Sequence, residues 1–132
     1  MDFVSTRIIT DDVKRLVEFY EAIGLTATWY TDEFAELSTA SSALAIGSRR
    51  TMDMFGAGAA IAGRNQSVII EFRVQDVDEA CRKLETVVAQ FVQRPTTQPW
   101  GNRSLLFRDP DGNLVNLFTP VTPEAIRKYT RS

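Results

Sequence analysis

The chain repeats itself at an offset of 64 residues, which limits the folds open to it more than any other feature. Asp12 and Asp76 each precede an apolar stripe at i, i+3, i+4, i+7 and i+10. The stripe is Val13, Leu16, Val17, Tyr20 and Ile23 in the first half, and Val77, Ala80, Cys81, Leu84 and Val87 in the second. That spacing predicts an amphipathic helix with the aspartate as N-cap, stopped in the first half by Gly24. A strand candidate precedes each cap, residues 3–10 in one half and 68–74 in the other. Three more follow each helix, at about 25–31, 34–39 and 43–47 and again at about 90–94, 103–108 and 113–118. Each half is therefore expected to be a βαβββ module, and the fold class is α+β.

The final pair of strands is the best specified. Between them lies Asp109-Pro110-Asp111-Gly112, in which Pro110 pre-sets φ for a type I turn, Asp109 can bond the backbone two residues on, and Gly112 takes a positive φ. The turn fixes the register, and alternation then puts Val115 and Leu117 on one face and Leu114, Asn116 and Phe118 on the other. An amide in an apolar strand demands partners if buried, because leaving it unsatisfied costs roughly 1–3 kcal/mol. Asn116 is thus either a satisfied structural residue or a polar group lining a pocket.

A length of 132 residues suits a single domain, with module one at about 3–47 and module two at about 67–119. Between them, 48–66 reads as a long crossover loop, and Thr122-Pro123-Glu124 opens a short tail helix over about 122–130. A net charge of −2 without a basic cluster argues against nucleic acid as a partner. No apolar stretch approaches the ~20 residues that span a bilayer, and a secretory signal pattern is missing, so no membrane association and a cytoplasmic location are expected. The one cysteine, Cys81, lies on a helix stripe and is expected as a small buried filler.

Histidine is absent altogether. Zinc, iron and nickel sites lean on imidazole or thiolate, so only an all-oxygen site for a hard cation is open to this chain. Histidine general-base catalysis and every Ser-His or Cys-His nucleophile are excluded.

The two βαβββ repeats, Phe19-Tyr20 ahead of Ile23-Gly24, and Asp109-Pro110-Asp111-Gly112-Asn113 before the last strand resemble the vicinal oxygen chelate superfamily, the glyoxalase, bleomycin resistance and extradiol dioxygenase group. The resemblance covers residues 3–119. It implies modules whose sheets curl around a cavity with helices packed outside. Its metal-ligand positions fall on Ser5, Ile69 and Asn116 and on the strand Ala43-Leu44-Ala45-Ile46-Gly47, which offers no donor side chain. No metal and no cofactor are expected. The run Trp100-Gly101-Asn102-Arg103 is similar to that of metal-free antibiotic-sequestering members, homodimers that hold a planar drug between aromatic side chains.

The expected partners are accordingly a small planar or aromatic molecule and a second copy of the chain. Trp100 is the leading stacking face, with Trp29, Tyr30, Phe34 and Phe55 as others, although an aromatic in a strand is usually core. Glu71, Ser5 and Asn116 are expected to face the cavity. Glu71 is the only candidate base; it could equally anchor an amine or form a salt bridge with Arg73, Arg7 or Arg103. Arg103 could grip an acidic ligand or brace the hairpin. Three functions stay open: a metal-independent binding protein, an enzyme of the same superfamily with an atypical site, and an interaction module whose cavity is filled by Ile69, Leu106, Leu114 and Phe118.

Overall fold

Both aspartates cap their helices. Asp12 accepts the backbone N–H of Arg15 at 3.1 Å, and Asp76 accepts those of Asp78 and Glu79 at 3.1 and 3.2 Å. The computed structural model describes residues 1–63 and 65–130. It contains β1 (Ser5–Ile9), α1 (Val13–Ala22), β2 (Ala27–Thr31), β3 (Phe34–Ser38) and β4 (Ala43–Gly47), then α2 (Asp53–Gly56). After these come β5 (Ile69–Arg73), α3 (Val77–Leu84), β6 (Phe91–Thr97), β7 (Asn102–Arg108), β8 (Leu114–Pro120) and α4 (Pro123–Thr130). The chain divides into two compact units, Met1–Arg64 and Asn65–Ser132.

The units share one topology, and it is the expected pair of βαβββ modules. The first has the strand order β1-β4-β3-β2 and the second β5-β8-β7-β6. In each, the first strand runs parallel to the last, and the remaining neighbours are antiparallel. The parallel pair requires a crossover, which the helix and two strands supply. Each strand-to-helix junction is tied alike: Thr10 N–H donates to Gly47 O, and Val74 N–H, 64 residues on, to Phe118 O, both at 2.9 Å.

Register sorts the residues of each sheet into two faces. In the first unit Ala35, Leu37, Leu44 and Ile46 meet Leu16, Val17 and Tyr20 of α1 in the core, all nearly inaccessible. In the second, Leu105, Phe107, Val115 and Leu117 form the corresponding rows under α3, whose Cys81 is buried as expected. The opposite face of each sheet has no long helix of its own module to cover it. Part of the second unit's face is instead covered by α4: Tyr129 stacks on Phe118 at 5.0 Å and Arg73 donates to the Tyr129 carbonyl.

The 48–66 segment is more ordered than a plain loop. Arg49–Met52 forms a 3-10 turn and leads directly into α2; residue 64 lies outside the described residues. Among the described residues no helix is long and apolar enough to cross a membrane.

The β7–β8 turn closes as its sequence requires. Gly112 N–H donates to Asp109 O at 3.0 Å with Gly112 at φ +92°. The buried Asp109 carboxylate accepts from the N–H groups of Asp111 and Asn113 and from Asn113 Nδ2 at 2.8–2.9 Å. Replacing Asp109 by Ala strands those donors and is expected to destabilise the protein by about 2–3 kcal/mol, read as a lowered urea midpoint.

Candidate functional site

Asn116 stands on β8 with Glu71 as its register partner on β5 and Leu106 on β7. All three lie on the face away from α3, because Val115 and Leu117 on either side of Asn116 fill the helix-covered core. The Asn116 Nδ2 donates to Glu71 Oε2 at 2.9 Å, while its Oδ1 is buried without a hydrogen-bond partner among the described residues. Half-buried Leu106 and Leu114 and the 53% exposed Ile69 surround the pair. Gln93 ends the row; its Oε1 accepts from Gln98 at 3.0 Å. Glu71 therefore pairs with an amide rather than in any of the three salt bridges open to it in the sequence.

Arg103 lies on the other face. Its guanidinium grips the Asp78 carboxylate of the first turn of α3 through two hydrogen bonds at 2.9 and 3.1 Å, with a third to Thr97 at 3.2 Å. The bidentate bond from Arg103 holds the Asp78 pKa below its ordinary value, outweighing desolvation, and Asp78 in turn raises that of Arg103. The arginine braces hairpin to helix and is separated from Asn116 by the sheet.

Trp100 is 67% exposed in the β6–β7 turn. Gly101 beside it has φ +94°, and a Cβ there would collide with Thr122 at the start of α4. Asn102, next along, is four residues down β7 from the Asn116 row, roughly 13 Å. Phe118 and Tyr129 occupy the intervening row. Trp100 is not brought together with Glu71 and Asn116.

In the first unit Ser5 is half-buried with Ala43 as its neighbour. Trp29 pairs with Ala35 and so sits at the sheet edge in a row of the helix-covered side. Phe34, Tyr30 and Phe55 gather on the opposite face around Arg7, which the sequence offers only as a salt-bridge partner. The Arg7 guanidinium lies 4.7 Å from the Phe34 ring centroid and 5.4 Å from that of Phe55. Tyr30 packs on Phe34 at 5.9 Å. Its hydroxyl bonds to Glu36, and that bond, with the carboxylate's charge, pushes the phenol pKa above its usual value. The signal for Arg7 was present: it alternates with Ser5 on β1 and precedes Glu71 by 64 residues.

The donors at the superfamily's ligand positions do not fit a metal. They are one hydroxyl, one hydrocarbon and one neutral amide oxygen, and no group of three His, Cys, Asp or Glu side chains converges among the described residues.

A family model described as Glyoxalase/Bleomycin resistance protein/Dioxygenase superfamily matches residues 2–117. The chain belongs to that superfamily. It is 30% identical over 125 residues to a Bacillus subtilis (strain 168) protein called "Uncharacterized protein YraH", covering 89% of this chain and 98% of that one. Among solved structures it is similar to a glyoxalase/bleomycin resistance protein/dioxygenase from Nocardioides, with TM-score 0.74, 21% identity and coverage of 93% and 85%. A glyoxalase/bleomycin resistance protein/dioxygenase family enzyme from Burkholderia phytofirmans PsJN gives TM-score 0.75 at 18% identity, with coverage of 92% and 100%. At such identities these two structures speak for the fold alone.

The Arg103–Asp78 pair makes a pH prediction. Because the Asp78 pKa is lowered on folding, its contribution is fully present above the unfolded value near 3.8 and is lost as pH falls through the folded value below it. Urea midpoints at pH 7 and about pH 3 should therefore differ less for Asp78→Asn than for the wild type.

Proposed function

We propose that this superfamily member is a metal-independent small-molecule binding protein that sequesters a planar or aromatic compound. The observation that carries the proposal is the buried, unpartnered Asn116 Oδ1 beside the Glu71 carboxylate. Two acceptors side by side among Ile69, Leu106 and Leu114 make a surface suited to a flat apolar body bearing an N–H or O–H group. An acceptor without a donor costs free energy in the empty protein, and a ligand donor recovers it. Glu71 adds an attraction for an amine that a neutral amide lacks.

Affinity for a ligand with a donor on a planar ring system is expected in the nanomolar to micromolar range, without turnover. This fits the sequestering members of the superfamily, and a role in protection against a toxic aromatic compound, such as an antibiotic, follows from it. The proposed working form is a homodimer in the cytoplasm. Strands β1, β2, β5 and β6 are sheet edges with free hydrogen-bonding groups, and pairing or covering them is the usual protection against aggregation. Sedimentation at micromolar concentration should give a dimer; a monomer there removes that part of the proposal.

Calorimetry with a panel of planar antibiotics and aromatic amines tests the binding. At least one tight binder is expected, and Asn116→Leu should weaken it by about tenfold while changing stability by less than about 1 kcal/mol, since the mutation also removes a buried polar demand. Compounds of two or three fused rings are too short to bridge from Asn116 to Trp100, so Trp100→Ala should leave their affinity within about twofold. A panel without a binder, or an Asn116→Leu variant that binds as tightly as wild type, would defeat the reading.

A further inference from the structure

The first unit carries a charged aromatic cluster that the Glu71–Asn116 pair leaves unused. We propose that Arg7, held between Phe34 and Phe55, is a binding site for the carboxylate of a planar aromatic acid.

Register aligns Arg7 of β1, Ala45 of β4 and Glu36 of β3 across the face away from α1. The middle member is a methyl group, so two charged side chains flank a small residue, their strands roughly 10 Å apart. Gly47, at the end of β4, has Phe34 and Thr51 against it; a Cβ there would lie 3.2 Å from the Phe34 ring and 2.8 Å from Thr51 Oγ1. Thr51 in turn donates its hydroxyl to Ser48 O at 2.6 Å, which fixes the 3-10 turn leading into α2. That seats Phe55, 76% exposed to solvent, beside Arg7.

The chemistry follows from what the guanidinium does not do. Contact with aromatic faces uses the cation's charge and its flat surfaces, but none of its five N–H donors, which point outward in the plane. Among the described residues Arg7 makes no ion pair and donates no hydrogen bond. Glu36 on the same row is the obvious partner, but no ion pair joins the two among the described residues. A planar cation held between rings, with its donor edge unspent, is complementary to a planar carboxylate that accepts two parallel hydrogen bonds. The exposed rings of Phe55 and Tyr30 supply faces for the acid's own aromatic body. This site belongs to a different unit from Glu71 and Asn116 and selects the opposite charge.

The experiment compares 2-naphthoate with N,N-dimethyl-2-naphthamide, a neutral counterpart with no N–H to give the Asn116 and Glu71 acceptors, by calorimetry on the full chain. Wild type is expected to prefer the acid by about tenfold or more, the scale of hydrogen bonds to a charged group. Arg7→Gln should abolish the preference, and Arg7→Lys, which keeps the charge but loses the planar fork, should restore only part of it. Phe55→Ala should weaken acid and amide alike, by about 2- to 12-fold. Arg7 and Phe55 are exposed, so circular dichroism should report folded variants. Equal affinity for acid and amide, no binding of either at millimolar concentration, or an acid preference that survives Arg7→Gln would each overturn the proposal. Any of these leaves the reading of the second unit standing, because that one is judged on Asn116→Leu and its own panel.

Discussion

A four-stranded sheet has two faces, and each unit of this protein lays one amphipathic helix of its module on only one of them. Burial of that face against α1 or α3 supplies the cores: Leu16, Val17 and Tyr20 over β3 and β4 in the first unit, Val77, Cys81 and Leu84 over β7 and β8 in the second. At about 25 cal/mol per Å² of apolar surface removed from water, this burial dominates what holds each unit together. The remaining face is then free of the demand for hydrocarbon. Arg7, Glu36, Glu71 and Asn116 all lie there, in rows between the buried ones. Both sites proposed above draw on those rows.

The internal repeat sharpens the point, because the halves agree where they pack and disagree where they do not. Val13 and Val77, Leu16 and Ala80, and Val17 and Cys81 are equivalent and all apolar. On the open faces Ser5 matches Ile69 and Arg7 matches Glu71. The strand paired with Arg7 offers Ala45, whereas the one paired with Glu71 offers Asn116. One duplicated frame thus carries a stacked cation over a small floor in the first unit and an acceptor pair in the second.

This division explains what could be read from the residues. Helix stripes, aspartate caps and the Asp-Pro-Asp-Gly turn are local signals, each set by a few consecutive residues, and they gave the modules, their order and the β8 register. Asn116 and Glu71 emerged from alternation alone. For Arg103 two roles stayed open, gripping a ligand or bracing the hairpin: the brace depends on Asp78 waiting on the helix side, a contact that spans 25 residues of sequence. The turn at Arg49–Met52 and α2 were hidden because the segment lacks a periodic apolar stripe and is rich in glycine. Trp29 misled for a related reason. Its pairing with Ala35 depends on a β2–β3 register that shifts between Trp29 and Thr31, with no turn motif to announce it.

The C-terminal helix has the largest bearing on the open face of the second unit. Its Tyr129 covers Phe118, and its backbone draws in Arg73, the cation two residues from Glu71 on the same face of β5. Arg103 is committed to Asp78 across the sheet. Arg73, the arginine on Glu71's own strand and face, is therefore engaged elsewhere and Arg103 lies behind the sheet, and the carboxylate is met by the Asn116 amide, a neutral donor. A salt bridge at this position would have consumed the charge and fixed it in the fold. An amide leaves most of it available, with the free Asn116 Oδ1 beside it, so the same contacts that close the lower part of the face keep its upper part an acceptor.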